Sequence, residues 1–288
     1  MEAACLRKGL LMSQDTRNVI ETGAAAIRAH FGEDFPKTVL VLGSGIGRFA
    51  DRLENATSLS YADIPGFAPS TVMGHAGKLM VGTLVGRRLA IMAGRIHVYE
   101  GHPPQAIATL VRILKTVGVE QLILTNAAGG LRLDMPAGTL MILDDHINFS
   151  GQNPLIGPND DRFGPRFFDM TFAYDPSLRA ALKAAADGAG VPVKSGTYIY
   201  CLGPNFETPA EVRLFASWGA DAVGMSTVPE CLAANHCGMK VAGLSLITNL
   251  AAGLSGEKLT HDETLTEATK AYGGIEKLLL KFFADLPS

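Results

Sequence analysis

Residues 219–230, GADAVGMSTVPE, set a short buried strand directly against the start of a helix, and this juxtaposition constrains the chain more than any other stretch. Ala222, Val223 and Met225 are apolar, Thr227 precedes Glu230 at the spacing of a capping box, and Pro229 fits a first helical turn, where a missing N–H costs nothing. Ser226 is therefore expected at the mouth of a helix N-terminus. Unpaired backbone N–H groups and the positive end of a helix dipole make such a mouth an anion site, for phosphate above all. Taken alone, an ordinary capped turn accounts for the stretch better than a ligand site does. Four other turns carry matching chemistry and change that balance.

TVLVLGSGIGRFAD, Thr38 to Asp51, is an apolar strand of the fully buried kind followed by a glycine-rich turn. Its glycines are Gly43, Gly45 and Gly47, with Arg48 where a dinucleotide fingerprint needs its third glycine. That geometry is lost, while exposed N–H groups and the Ser44 hydroxyl remain. Gly74 to His102 reads as two strands joined at Gly86-Arg87. Leu89 to Ala93 runs straight into GRIHVYEG, so Arg95, His97 and Tyr99 emerge at a strand's carboxyl end, where open α/β sheets bind ligands. If the strand continues, the three share one face; Arg95 offers a phosphate a planar fork and His97 a second donor.

Pro104 opens a helix with Ile107, Leu110, Val111 and Leu114 on its apolar face, ended by Gly118. QLILTNAAGG, 121–130, is another buried strand, whose N–H groups near Ala127 can approach a ligand closely. Strand, helix, strand in this order predicts a parallel crossover. Thr139 to Leu143 reads as a strand and 144–170 as a long polar loop; Asp144, Asp145 and His146 lack partners at metal-ligand spacing, so no metal is expected. Asp175-Pro176 caps a helix through Asp187. Thr208 to Glu211 is a second capping box that sets Phe206 and Glu207 just before a helix, where an aromatic beside a carboxylate suits a flat ring offering an N–H. Lys240 to Thr248 is a continuous apolar strand ending at Asn249, and a third box, Thr260 to Glu263, sets His261 at the start of a last helix running to about Phe283.

With 288 residues, 47% of them hydrophobic, the chain can bury one large core. No composition shift or repeat divides it, so 1–288 is expected to be a single domain, with 1–12 a flexible extension and Met12 an alternative start. A net charge of -3 gives nucleic acid no electrostatic footprint but allows a nucleoside or free phosphate. Cys5, Cys201, Cys231 and Cys237 lack CxxC spacing and read as reduced core thiols. No apolar run approaches the ~20 residues of a membrane span, so a cytoplasmic protein without membrane contact is expected. Neither a GxxxxGK[ST] loop nor a GxSxG elbow occurs, which argues against an NTPase and a serine hydrolase.

GSGIG at 43–47, GRIHVYEG at 94–101, TNAAGG at 125–130, GPNFETPAE at 203–211, GADAVGMSTVPE at 219–230 and SLITN at 245–249 together resemble, in order and spacing, the trimeric, 6-oxopurine-type purine nucleoside phosphorylases. The resemblance implies an α/β nucleoside-phosphorylase fold, a mixed, partly closed β-sheet surrounded by helices, where the pattern alone gives an open sheet. It implies a homotrimer with sites near subunit interfaces and phosphorolysis of purine (deoxy)ribonucleosides such as inosine and guanosine to base and (deoxy)ribose 1-phosphate. It implies no metal or organic cofactor, phosphate being a substrate. By resemblance, Ser44, His75, Arg95, His97, Ala127 and Ser226 hold phosphate. Tyr99, Met225 and His261 contact ribose, with Phe163 of DDRFGPRF lent to a neighbouring subunit's sugar pocket. Phe206, Glu207 and Asn249 hold the base, and Asn249, His97, Glu207 and His261 carry the catalysis. AAGLSGEKLTHDE, 251–263, matches the family only loosely. The closest competing reading is a methylthioadenosine phosphorylase, which usually has an acidic group where Asn249 stands. A non-catalytic purine or phosphate sensor would lose part of the phosphate set, which is complete here, and Arg48 disfavours a dinucleotide-dependent oxidoreductase.

Overall fold

The apolar runs of the sequence form the middle of one mixed sheet of nine strands among the described residues. The computed structural model describes residues 2–70, 75–256 and 258–286, without the side chains of 2–15 and of His261. Cys5 and the expected flexible extension over 1–12 thus lie outside the described side chains. The first helix, α1 (Glu2–Phe31), begins upstream of the periodic stretch that starts at Thr16. Gly23 weakens a helix by propensity, yet here a Cβ would lie 2.3 Å from the Pro65 carbonyl oxygen, so close packing requires the glycine.

Strand β1 (Thr38–Val41) runs into the glycine-rich turn, and β2 (Glu54–Ser60), β3 (Lys78–Leu84) and β4 (Arg87–Ala93) form an antiparallel meander beside it. Helix α2 (Pro104–Thr116) then crosses to β5 (Gln121–Gly130), and β1 lies parallel between β4 and β5. The chain continues through β6 (Leu140–Asn148), α3 (Pro176–Ala189), β7 (Val193–Tyr200), α4 (Pro209–Ser217), β8 (Ala222–Gly224), α5 (Val228–His236), β9 (Lys240–Leu250) and α6 (His261–Asp285). The strand order is β2-β3-β4-β1-β5-β8-β7-β6-β9, and β9 pairs back onto β5. Five strands thereby close on themselves while β1 to β4 extend as an open wing. This is the partly closed mixed sheet that the resemblance implied. Apolar side chains of α1, α2 and α5 form one core cluster with the sheet, and those of α3 and α6 form a second.

Several boundaries differ from the sequence reading. The pattern missed β2 because ENATSLS is polar and largely exposed: it is an edge strand paired only with β3. Strand β4 ends at Ala93, and Val98–Glu100 is a 3-10 turn, so Arg95, His97 and Tyr99 do not alternate along a strand. Gly94 makes that turn at φ 107, and a Cβ there would come 2.6 Å from that of His75. Asp144, Asp145 and His146 belong to β6 rather than to a loop, and Asp144 pairs with Arg179. Among the described residues no cluster of three metal-ligating side chains occurs. Cys231 and Cys237 are buried free thiols, and Cys201 is half-buried. The Thr208 box is reciprocal, with Glu211 N–H donating to the Thr208 hydroxyl at 3.3 Å and Thr208 N–H to the Glu211 carboxylate at 2.7 Å. At Thr260 the hydroxyl accepts from Glu263 N–H at 3.2 Å.

Gly43, two residues past the end of β1, packs against the backbone of β5. Its Cβ would lie 2.7 Å from both the Asn126 Cα and the Thr125 carbonyl oxygen, which are backbone atoms with no rotamer to change. Gly43→Ala should cost about 1–3 kcal/mol, the usual penalty for overpacking. Urea unfolding checks this: the midpoint should fall with an unchanged m-value, and a wild-type midpoint would show that the two strands can part freely.

Candidate active site

A cavity of about 360 Å³ opens at the carboxyl ends of the parallel strands β1, β5 and β9. Ten of the residues expected at the site line it: Ser44, Arg95, His97, Tyr99, Ala127, Phe206, Glu207, Met225, Ser226 and Asn249. They come from strands and turns far apart in sequence, and the closed part of the sheet brings them together.

The anion end is built around Arg95, which is only 2% exposed. Its Nη1 donates to the Thr125 carbonyl at 2.8 Å, to Ser226 Oγ at 3.0 Å and to Thr227 Oγ1 at 3.4 Å. Its Nε stands 2.9 Å from the Glu230 carboxylate. Arg95 is thus built into the fold more deeply than a strand-end position suggested. The expected capping box of Thr227 and Glu230 does not form. Thr227 adopts φ 73, ψ -49 with no side-chain cap, and Val228 N–H donates to the Ser226 carbonyl at 2.8 Å, a γ-turn of the rare positive-φ kind. Such a conformation in a β-branched residue is strained and persists only where its surroundings fix it. Here Asn126 Nδ2 donates to the Thr227 hydroxyl at 2.8 Å, and the Tyr198 hydroxyl accepts from Ser226 N–H at 3.3 Å. Tertiary partners have outcompeted the local cap.

His75, His97 and Tyr99 form a stack, with ring centroids 5.5 Å and then 4.6 Å apart. His75 is not in the cavity wall but stands behind Ser44, with Nε2 3.4 Å from the Ser44 hydroxyl and Nδ1 3.0 Å from the Arg95 carbonyl. Burial, followed by the neighbouring His97, pushes its pKa down to about 4. Burial also lowers that of His97, against the pull of Glu100. Both rings are therefore neutral near pH 7 and stack without repulsion. Glu100 accepts from His97 N–H at 2.7 Å and lies 3.1 Å from Nδ1, so Nδ1 holds the proton and Nε2 keeps its lone pair. His97 becomes the second donor expected from the sequence only when Nε2 is protonated; in its neutral form it accepts from a P–OH.

At the other end, burial raises the Glu207 pKa above the usual glutamate range. Phe206 is 39% exposed along the cavity mouth. Asn249 is held on both sides: Oδ1 accepts from the Thr248 hydroxyl at 3.1 Å and Nδ2 donates to the Leu250 carbonyl at 3.1 Å. The amide orientation is thereby set, and one Nδ2 hydrogen is left for a ligand. Tyr99 and Met225 lie between the two ends. His261 opens α6, whose Thr264 lines the cavity, but its side chain is outside the described set. Phe163 is not in this cavity; its ring lies 5.5 Å from the Arg112 guanidinium and 5.4 Å from that of Arg162. Sequence reasoning missed Asn126, Tyr198 and the true partner of Glu230, and gave Glu100 no role. Asn126 and Glu100 stand inside motifs already singled out, whereas Tyr198 carried no local signal.

The phosphorylase superfamily profile matches residues 37–284. The chain is similar to purine nucleoside phosphorylase 1 of Bacillus subtilis, with 50% identity over 92% of this chain and 98% of the relative. It is similar to the purine nucleoside phosphorylase of Bos taurus at 44% identity, over 88% and 91%. Among solved structures, the Schistosoma mansoni purine nucleoside phosphorylase in complex with inosine superposes with a TM-score of 0.88 at 36% identity, covering 94% of this chain and 97% of that one. The same Schistosoma protein in complex with adenosine gives 0.87 at 36% identity, over 94% and 98%. Fold, cavity and sequence agree, and the chain belongs to the phosphorylase superfamily and, within it, to the purine nucleoside phosphorylases.

Proposed function

We propose that the cavity holds a 6-oxopurine nucleoside with its base against Phe206, Glu207 and Asn249, and a phosphate among Ser44, Arg95, His97, Ala127 and Ser226, with His75 supporting Ser44. The observation that carries this reading is the single cavity with an anion end and a base end, spanned by Tyr99 and Met225 where the ribose would lie. Purine nucleosides are the substrates, and the reaction is phosphorolysis. The bond between C1′ and the purine nitrogen breaks, its electron pair leaves with the base, and a phosphate oxygen bonds to C1′ from the opposite face. The transition state resembles a ribosyl oxocarbenium ion, so no covalent enzyme nucleophile is needed. Catalysis is positioning plus stabilisation of developing charge. The free Nδ2 hydrogen of Asn249 would meet the charge that grows on the departing imidazole ring, and His261 would take the 5′-hydroxyl. No step calls for a metal or organic cofactor; phosphate is the second substrate.

A homotrimer is part of the proposal. Phe163 does not line its own chain's cavity; its ring packs half-buried against the core near the Arg112 and Arg162 guanidinium groups, and Ile156, Phe167 and Phe172 of the same segment are 65%, 89% and 66% exposed. Exposed apolar side chains grouped in this way mark an interaction surface. A neighbouring copy that covers them would bring Phe163 to the sugar. No helix among the described residues is long and apolar enough to cross a membrane, and reduced buried thiols suit a cytoplasmic setting. Sedimentation and activity measured across one dilution series should show activity falling as the assembly dissociates while far-UV circular dichroism persists. A fully active monomer would end the shared-site reading.

Specificity follows from Glu207. Inosine and guanosine carry a hydrogen on N1, whereas adenosine carries a lone pair there, and an ionised carboxylate only accepts. Sites built on such a contact reject the wrong partner by up to ~10⁴–10⁵-fold, so adenosine should be turned over very poorly even though the Schistosoma relative is solved with it bound. Because burial raises the Glu207 pKa, kcat/KM for inosine should fall on the acid side at a pH above the usual ~4.3 of glutamate. Asn249→Asp removes the donor to the imidazole ring and puts a charge near O6, so it should narrow the gap between inosine and adenosine, mainly by loss of inosine activity. Measuring kcat/KM for both nucleosides at saturating phosphate tests this. Efficient wild-type cleavage of adenosine would overturn it and favour the adenosine-type reading.

A further inference from the structure

Glu230 is the one buried carboxylate in the phosphate region that the reaction chemistry leaves without a task. Its side chain is 7% exposed, and it points from the first turn of α5 into the protein, where its oxygen meets Arg95 Nε at 2.9 Å. The far side of the pair borders an apolar gap of about 10 Å³, walled by Val41, Met92, Ile107 and Leu110. A gap of that size is at the lower limit for one water, roughly 10–15 Å³, and the Arg95 and Glu230 side chains are its only polar walls. The two side chains, 2% and 7% exposed, are shielded from bulk water. A buried ion pair is a poor source of stability, because removing both charges from water offsets most of their attraction.

We propose that Glu230 is a positioning residue for phosphorolysis, which holds Arg95, and through it Ser226, in the geometry that receives phosphate. A planar guanidinium tied at one nitrogen still turns about its remaining bonds; ties at two different nitrogens fix its plane. Glu230 supplies the tie at Nε as an ion-pair contact rather than a hydrogen bond, while Thr125, Ser226 and Thr227 accept from Nη1. Nη1 also reaches the hydroxyl of Thr227 in the strained γ-turn, so the placement of Arg95 fixes the turn that presents Ser226. The chain of contacts runs from Glu230 to Arg95, to Thr227 and Ser226, and ends at the anion. None of it touches the base end, so the effect of Glu230 belongs to phosphate alone. This inference rests on the reading that Arg95 serves phosphate, and its test separates the two.

The test uses Glu230→Gln, which keeps an acceptor but loses the charge, and Glu230→Asp, which keeps the charge but withdraws it by one methylene. A misplacement on the scale of 1 Å costs about 10²-fold, so both variants should lose roughly that factor in kcat/KM for phosphate. At saturating phosphate the KM for inosine should stay at its wild-type value. Glu230→Asp decides whether geometry rather than charge balance matters, and it carries the test alone should Glu230→Gln fail to fold. In an Arg95→Ala background either change should cost nothing further in phosphate kinetics. Wild-type phosphate efficiency in a folded Glu230→Asp protein would overturn the proposal, as would an equal loss with and without Arg95. Unchanged phosphate kinetics in Arg95→Ala alone would also overturn it, and would remove Arg95 itself from the phosphate site.

Discussion

The return of β9 onto β5 is the contact on which the rest of the site depends. It pairs residues 240–250 with 121–130, stretches distant in sequence, and closes five strands while β1 keeps its place on the other edge of β5. Between Ala128 and Gly129 the register slips by one residue, leaving Thr248 without a partner. A bulge of this kind re-aims the side chains beside it. Thr248 thereby comes to hold Asn249 Oδ1, and Asn249 comes to face the cavity. The small residues of TNAAGG make the approach possible: a Cβ on Gly129 would lie 3.5 Å from Asn249 Nδ2, and one on Gly130 would lie 2.8 Å from the Met135 carbonyl oxygen. A stretch that reads as room for a ligand is, in large part, room for the neighbouring strand.

The anion end has little free charge. Arg95 is paired with Glu230, and His75 and His97 are held neutral by burial. What the site offers a phosphate is a set of oriented donors and one fixed guanidinium, a preorganised arrangement that need not rearrange as charge develops. Neutral imidazoles also let His75, His97 and Tyr99 stack, which sets Tyr99 in the cavity wall where the proposed ribose would lie. Glu100 carries the other half of this arrangement: it fixes the His97 tautomer and would stabilise the ring once a phosphate draws a proton to Nε2.

Most of the central strands and the connecting helix were legible because burial on both faces leaves a continuous apolar run, and α2 shows its face at helical spacing. Thr208 to Glu211 was legible because both partners of that cap are local. The same spacing at Thr227 to Glu230 misled, since Arg95 and Asn126 lie across the sheet from it and bind these side chains more favourably than the helix end does. Strand β2 escaped notice because an exposed edge leaves no apolar pattern. Closure of the sheet was beyond any local signal and came only from the resemblance, because a pairing between 121–130 and 240–250 leaves no periodicity in either segment.

The side-chain groups of the site differ in how firmly the chain itself holds them. Arg95 and Asn249 each make two or more side-chain hydrogen bonds within the chain, and the His97 ring is held by Glu100, so much of their rotamer freedom is spent on folding and need not be spent again on binding. Phe206 stands at the mouth, 39% exposed, with no such ties. Phe163 is intermediate: core packing and two nearby guanidinium groups hold its ring, half-buried and outside its own cavity. A ring fixed in that way loses little freedom when a second surface meets it, which is the property a side chain needs if it serves a neighbour's sugar pocket. On the proposed reading, the phosphate end is thus finished within one chain, and the sugar side is where a single chain leaves its site open.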